Sequence, residues 1–243
     1  MTFPAFDFRA GELLPVDKPR GWTSFDVVNR LRYRLRKLTG VKRIKVGHSG
    51  TLDPMATGLL LVATGKATKR LTALTGLPKG YTGTMRFGAS TPSYDAETEV
   101  DATYPTEHLT RGAIEREIAA AFTGVIEQRP PAFSAIKIDG QRAYAAARRG
   151  EPVELPTRRV AVTGFAVTRC ELPEVDFAVD VSKGTYVRSL AHDLGRAVGS
   201  GAYLTALRRT SIGDYRLADA HALDALTAHL DALIAARDRS PSG

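Results

Sequence analysis

The chain has 243 residues, 43% hydrophobic and 25% charged, and its 34 Lys and Arg against 26 Asp and Glu leave a net charge of +8. At ~150 residues per domain this is one large domain, or one with an appendage, and the composition excludes a globally disordered chain. The single cysteine, Cys170, excludes an internal disulfide and every structural zinc site that needs two or more thiolates.

The first ten residues contain Pro4, Asp7 and Arg9 instead of a basic and then an apolar stretch, so no signal peptide is expected. The longest apolar run, Leu59 to Ala63, is far short of the ~20 residues of a membrane span. A reducing, cytoplasmic setting without membrane association is the expectation. The cationic excess points, weakly by itself, to an anionic partner such as nucleic acid.

In chain order, Ser24 is the expected cap of a helix reaching about Leu38, with Phe25, Val28, Leu31 and Leu35 inward. Thr84 to Gly88 reads as a strand. Thr110 caps a second helix with Ile114, Ile118, Ala121 and Phe122 inward, a staple between Leu109 and Ile114, and Gly124 as its stop. A third helix is expected from Arg142 to Arg149, ended by Gly150. Val160 to Arg169 reads as a strand, and Val175, Phe177, Val179 and Val181 alternate with polar or small residues as in a half-buried strand. A last helix covers Ala220 to Ala236, with Leu223, Leu226, Leu230 and Leu233 on one stripe, and Arg237 to Gly243 read as a frayed tail. Helices and strands do not alternate regularly, which favours α+β over a doubly wound parallel sheet.

Most familiar chemistries fail on spacing. Gly65-Lys66 lacks the first glycine and the hydroxyl of a phosphate loop, and no G-x-G-x-x-G, G-x-S-x-G or H-E-x-x-H pattern occurs. The five histidines read as surface or core residues, so no metal and no nucleotide cofactor is expected. What remains is Gly47-His48-Ser49-Gly50-Thr51-Leu52-Asp53-Pro54-Met55-Ala56-Thr57-Gly58. Glycines frame one carboxylate, and Pro54 biases Asp53 toward extended backbone. Such a carboxylate can be a nucleophile, a base or a turn-former; from spacing alone a tight turn is the preferred reading.

The whole segment resembles the catalytic motif of the TruB-type tRNA pseudouridine-55 synthases. Further stretches resemble the same family in the same order: Val16 to Ser24, Lys79 to Gly83, Pro130 to Lys137, Ser182 to Arg188 and Leu207 to Arg209. The match runs from about Leu14 to Gly213. It implies the pseudouridine-synthase fold, a large mixed, mainly antiparallel sheet with flanking helices and an active-site cleft. It implies a catalytic domain over residues 1–213 and a short helix and tail over 214–243. It also implies isomerisation of a uridine in the T loop of tRNA, position 55, without cofactor or metal.

By this resemblance Asp53 is the catalytic aspartate, either adding to the ribose or taking a proton from it, and Arg188 pairs with it. Without the resemblance Arg188 reads as a surface cation near a helix start. Tyr81 stacks on the target base, or else is a strand aromatic of the core. Tyr186 is a second substrate contact, and Leu207 lines the uracil pocket or simply packs the core. His48 helps hold the rearranged loop nucleotide, since a base that leaves its stack needs new partners. Lys18 supports the site or binds phosphate. The segment from Arg129 to Arg149 resembles one that closes on RNA in the family.

Between Val27 and Leu52 there is no Asp or Glu, while Arg30, Arg32, Arg34, Arg36, Lys37, Lys42, Arg43 and Lys45 all fall there. A solvated face usually mixes signs, so this stretch reads as an RNA-backbone surface, with Arg30, Arg34, Lys42, Arg43 and Lys45 as phosphate contacts. Residues 1–50 carry a net +7 and the remaining residues +1. Thr91 to Glu97 is a loose version of a more acidic family stretch in which Asp95 is kept. Many family members end in a PUA-type RNA-binding domain. The 36 residues after Leu207 fall below the ~40 of an independent fold, so such a domain is not expected. A monomer is the default expectation, and the alternative function is a non-catalytic factor that binds and folds tRNA on the same scaffold.

Overall fold

The computed structural model describes residues 3–134, 136–138, 141–151, 153 and 155–239. In chain order its strands are β1 (Leu13–Lys18), β2 (Val46–His48), β3 (Thr57–Thr64), β4 (Lys79–Phe87), β5 (Ala89–Ser90), β6 (Ala102–Thr103), β7 (Gly124–Gln128), β8 (Lys137–Ile138), β9 (Gln141–Arg142), β10 (Arg158–Glu171), β11 (Glu174–Val181), β12 (Ala202–Ile212), β13 (Tyr215–Arg216) and β14 (His221–Ala222). The α-helices are α1 (Ser24–Thr39), α2 (Leu71–Gly76), α3 (Arg111–Ala121), α4 (Ala143–Arg148), α5 (Val187–Ala197) and α6 (Leu223–Arg239). The chain divides into two compact units, Met1–Leu77 with Arg208–Gly243, and Pro78–Leu207.

In the first unit β1 lies between β14, which it pairs in parallel, and β3, which it pairs antiparallel from Leu13↔Ala63 to Lys18↔Gly58. The other edge of β3 is shared. Its start pairs in parallel with residues 208–209 of β12, and its end pairs antiparallel with β2. One face of this sheet packs Leu14, Val16, Leu60 and Val62 against Val27, Val28, Leu31 and Leu35 of α1 and Leu223, Leu226 and Leu230 of α6. The other face packs Leu59 and Leu61 with Leu74 and Ile212. Burial on both faces explains why β3 reads as a continuous apolar run without alternation.

The second unit is an antiparallel sheet in the order β4, β11, β10, β7, extended beside β4 by residues 202–207 of β12. Val175, Phe177, Val179 and Val181 of β11 are all buried, as their alternation predicts. α3 is capped by Thr110, whose hydroxyl accepts from the Ala113 N–H at 3.2 Å, and it buries Ile114 and Ile118. The mainly antiparallel strands and unalternating helices bear out the α+β expectation.

Several local expectations need correction. The N-cap of α1 is Thr23, not Ser24: Thr23 and Asp26 form a reciprocal capping box, and Ser24 becomes the first helical residue. Phe25, off the stripe formed by Val27, Val28, Leu31 and Leu35, points outward, 59% exposed, and Val27 lies in the core instead. Ala121 is exposed, and α3 ends there, ahead of Gly124, which opens β7. Arg142 belongs to β9 and α4 begins at Ala143; α6 begins at Leu223, after the short strand β14. Residues 237–239 continue α6 and are not a tail; residues 240–243 lie outside the described residues. So do Ala135, within the Pro130 to Lys137 motif, and residues 139–140 of the Arg129 to Arg149 segment.

Candidate active site

Asp53 sits on the loop between β2 and β3, and backbone hydrogen bonds hold that loop at several points. The Ser49 N–H donates to the Leu61 carbonyl at 3.0 Å, the Ala56 N–H to the Asp53 carbonyl at 3.0 Å and the Gly21 N–H to the Pro54 carbonyl at 2.8 Å. Ser24, freed from capping, accepts from the Leu52 N–H at 2.8 Å. The first turn of α1 thus positions the residue next to Asp53.

Arg209 underlies the same loop. It is 1% exposed, and its guanidinium donates to the Leu59 carbonyl at 2.7 Å and the Gly50 carbonyl at 3.2 Å. Gly58 makes this approach possible: its φ is +101°, and a Cβ there would lie 2.3 Å from the Arg209 carbonyl oxygen. Lys18 is fully buried, with its ammonium donating to the Trp22 carbonyl at 2.6 Å and the Pro19 carbonyl at 3.1 Å. Burial pulls Lys18 down to about 8, opposed by the charge of Asp53 and reinforced by Arg209. It is therefore still a cation at neutral pH, acting on Asp53 through its charge. The expectation that Lys18 contacts phosphate does not fit this burial; its ammonium is engaged by the turn from Pro19 to Trp22.

His48 ends β2, half-buried, and burial holds its imidazole below the ordinary range. Its Nδ1 accepts from the Gly50 N–H at 3.3 Å, which leaves the proton of the neutral ring on Nε2.

In the second unit Tyr81 lies on β4 opposite Val179, half-buried rather than in the core. Its neighbour along the strand, Gly83, has no room for a side chain, since a Cβ would meet the Ala206 carbonyl oxygen at 2.6 Å and the Phe177 ring at 2.8 Å. Tyr186 precedes α5 and is locked by Gln128, which accepts from its N–H at 2.8 Å and donates to its carbonyl at 3.0 Å. The Arg158 guanidinium lies over its ring, 4.7 Å from the centroid. Leu207 is 9% exposed on β12.

Arg188, in the first turn of α5, is not a surface cation. It is 4% exposed, forms an ion pair with Asp95 at 3.4 Å and donates to the carbonyls of Ser93 and Phe133, each at 2.9 Å. Asp95 is fully buried and accepts from the Ser93 hydroxyl at 2.6 Å and the Glu97 N–H at 3.0 Å. The turn that carries it is pinned by Tyr94, at φ +63°, whose ring stacks on His192 at 3.7 Å, one turn after Arg188 on α5.

The basic stretch divides in two. Arg34 pairs with Asp231 at 2.9 Å and Arg30 with Asp224 at 3.6 Å, both acids belonging to α6. The face that reads as single-signed in residues 27–52 is therefore mixed once α6 packs on α1. Lys42, Arg43 and Lys45 are exposed and, among the described residues, carry no ion pair. Sequence reasoning missed Asp95, Gln128 and Arg209 as site-building residues. Arg209 stands in the Leu207 to Arg209 motif and Asp95 in the Thr91 to Glu97 stretch, so position in a motif was the available signal.

Known proteins place this arrangement. Chains similar in fold occur in a Cbf5-Nop10-Gar1 complex, at TM-score 0.66 and 30% identity, and in an H/ACA RNP bound to a substrate RNA containing 2′-deoxyuridine, at TM-score 0.64 and 27% identity. Each match covers 91% of this chain, which spans about half of those longer chains, 54% and 53%. The model for the TruB family pseudouridylate synthase N-terminal domain matches residues 36–187, and the tRNA pseudouridylate synthase B C-terminal domain model matches residues 188–239. Relatives called tRNA pseudouridine synthase B are 52% identical in Phocaeicola vulgatus, over 93% of this chain and 95% of the relative, and 53% identical in Flavobacterium johnsoniae, over 88% and 93%. The fold is thus that of pseudouridine synthases, a class of isomerases. Within it, this chain belongs to the TruB family.

Proposed function

We propose that this protein isomerises the uridine at position 55 of the tRNA T loop to pseudouridine, with Asp53 as the catalytic aspartate. The observation that carries the assignment is the Asp53 loop. The loop that carries this one carboxylate is held by the Ser24 hydroxyl of α1 and by backbone hydrogen bonds to β3 and to Gly21, with the Arg209 guanidinium on its Gly50 carbonyl and the Lys18 cation as a charge neighbour of Asp53. A nearby cation keeps a carboxylate ionised, and Asp53 must be ionised to add to ribose C1′ or to remove a ribose proton. The bond from C1′ to N1 breaks, the base turns, and C1′ rejoins at C5; the C5 hydrogen leaves as a proton and N1 gains one. The bonds balance without redox change or an energy source.

Tyr81 stacks on the target base, Tyr186 and Arg188 contact the target nucleotide and Leu207 lines the uracil pocket. Arg188 comes to this task already oriented by Asp95. His48, with its proton on Nε2, holds a displaced loop nucleotide, and Lys42, Arg43 and Lys45 contact phosphates. The catalytic machinery belongs to residues 1–213, and the described residues beyond it form β13, β14 and α6, which complete the first unit. The enzyme works as a cytoplasmic monomer.

The test uses a T-stem-loop RNA tritiated at uracil C5. Wild type is expected to release tritium, and Asp53→Asn to bind the RNA without releasing it. Binding without release by both proteins assigns the chain to tRNA folding instead, and removes the catalytic reading.

A further inference from the structure

Beside the Asp53 loop, within the first unit, lies an open hollow of about 460 Å³ lined by Gly21, Trp22, Asp26, Asn29 and Arg30. The chemistry proposed above uses none of its side chains. It is coupled to the loop by the Gly21 N–H on the Pro54 carbonyl and by Ser24 on Leu52.

The groups around it do not suit a phosphate. Asp26 stands at its rim as an ionised carboxylate, held below the usual carboxylate range by the Thr23 hydroxyl and N–H at 2.6 and 2.9 Å. Arg30, the cation present, already pairs with Asp224 at 3.6 Å. What Arg30 does offer is a plane: its guanidinium lies over the Trp22 ring, 5.1 Å from the centroid. Indole and guanidinium surfaces stack on nucleobases. Beside that platform Asp26 accepts hydrogen bonds. Asn29, whose Oδ1 accepts from Arg32 at 2.7 Å, brings an amide.

From this we infer that the hollow is a second nucleobase site. It takes an unpaired loop base other than the target uridine, one bearing an exocyclic amino group, stacked on the Trp22–Arg30 pair with the amino group donating to Asp26. The inference rests on the RNA-isomerase reading and adds a position of the substrate that the reading leaves unassigned. It also reassigns Arg30 from phosphate contact to base stacking.

Trp22 is the sole tryptophan of the chain, so its emission reports on this hollow directly. The experiment titrates the protein with the T-stem-loop RNA and with a set of RNAs each lacking one loop base, following Trp22 fluorescence and, separately, filter binding and tritium release. The intact RNA is expected to quench Trp22 by half or more. One abasic position is expected to restore the emission and weaken binding about 5- to 100-fold. Arg30→Gln is expected to weaken binding of the intact RNA and to add little to the loss at that abasic position. RNA bound with Trp22 emission unchanged, or equal quenching by every abasic RNA, overturns the second site while tritium release still supports the isomerase. Absence of both binding and release overturns the two together.

Discussion

Lys18 shows how a single residue can serve a site at a cost to the fold. Unfolded, its ammonium titrates near 10.5; folded, burial brings it to about 8. Between those values the unfolded chain holds a proton that the folded chain has lost, so stability rises with pH from about 8 to about 10.5. Below about pH 8 both states are protonated and the desolvation penalty is carried in full. The rise is on the order of 3 kcal/mol. Urea unfolding at pH 8 and pH 10.5 is expected to show it in wild type and to show a flatter dependence in Lys18→Met. An identical rise in both proteins assigns it to other groups. The cost is consistent with the place of Lys18 as a charge neighbour of Asp53. At this scale Asp53, His48 and Tyr81 were legible as candidates because whole motifs carry them. The work of Arg209 was not, because it is done on the backbone carbonyls of Gly50 and Leu59, and carbonyls have no sequence signature.

Elements follow local rules where those rules meet no competitor. β11 alternates because one face is buried, and Thr110 caps α3 as its sequence suggests. α1 departs from its pattern by one residue. Thr23 and Ser24 are both competent caps, and the choice falls on Thr23 because its partner Asp26 stands three residues on and because Ser24 is needed by Leu52. The two hydroxyls therefore have separable roles. Thr23→Ala is expected to lower stability by ~1 kcal/mol, a shift of about 2–4 °C in the thermal midpoint, with turnover retained. Ser24→Ala leaves the Leu52 N–H without its partner next to Asp53, and is expected to lower turnover as well. Equal activity in the two variants would show that the Asp53 loop does not depend on Ser24.

Across the molecule, the charge excess located in the first fifty residues remains after folding, but its composition changes. Asp224 and Asp231 lie some two hundred residues from Arg30 and Arg34 in sequence and beside them in the first unit. Of the five residues expected to contact phosphate, Lys42, Arg43 and Lys45 are thereby the ones that α6 leaves without an acidic neighbour among the described residues. Replacing these three with Gln is expected to flatten the slope of log affinity against log salt by about one unit per lost contact. Arg34→Gln is expected to leave the slope alone and to lower stability by about 0.2–1 kcal/mol, the worth of an exposed ion pair. A slope unchanged by the triple replacement would make those residues a solvated face.

What the sequence determined by itself was the α+β class, the family and a candidate carboxylate, Asp53, because these are carried by contiguous motifs and by hydrophobic periodicity, both local properties of the chain. Only the tertiary structure decided which charges are answered and which face the solvent. Arg188 is held by Asp95, Arg30 and Arg34 by α6, and Gly50 and Leu59 by Arg209. Each of these pairings joins residues remote in the chain, and the strength of a charge or hydrogen-bond donor depends on neighbours and burial that only packing supplies.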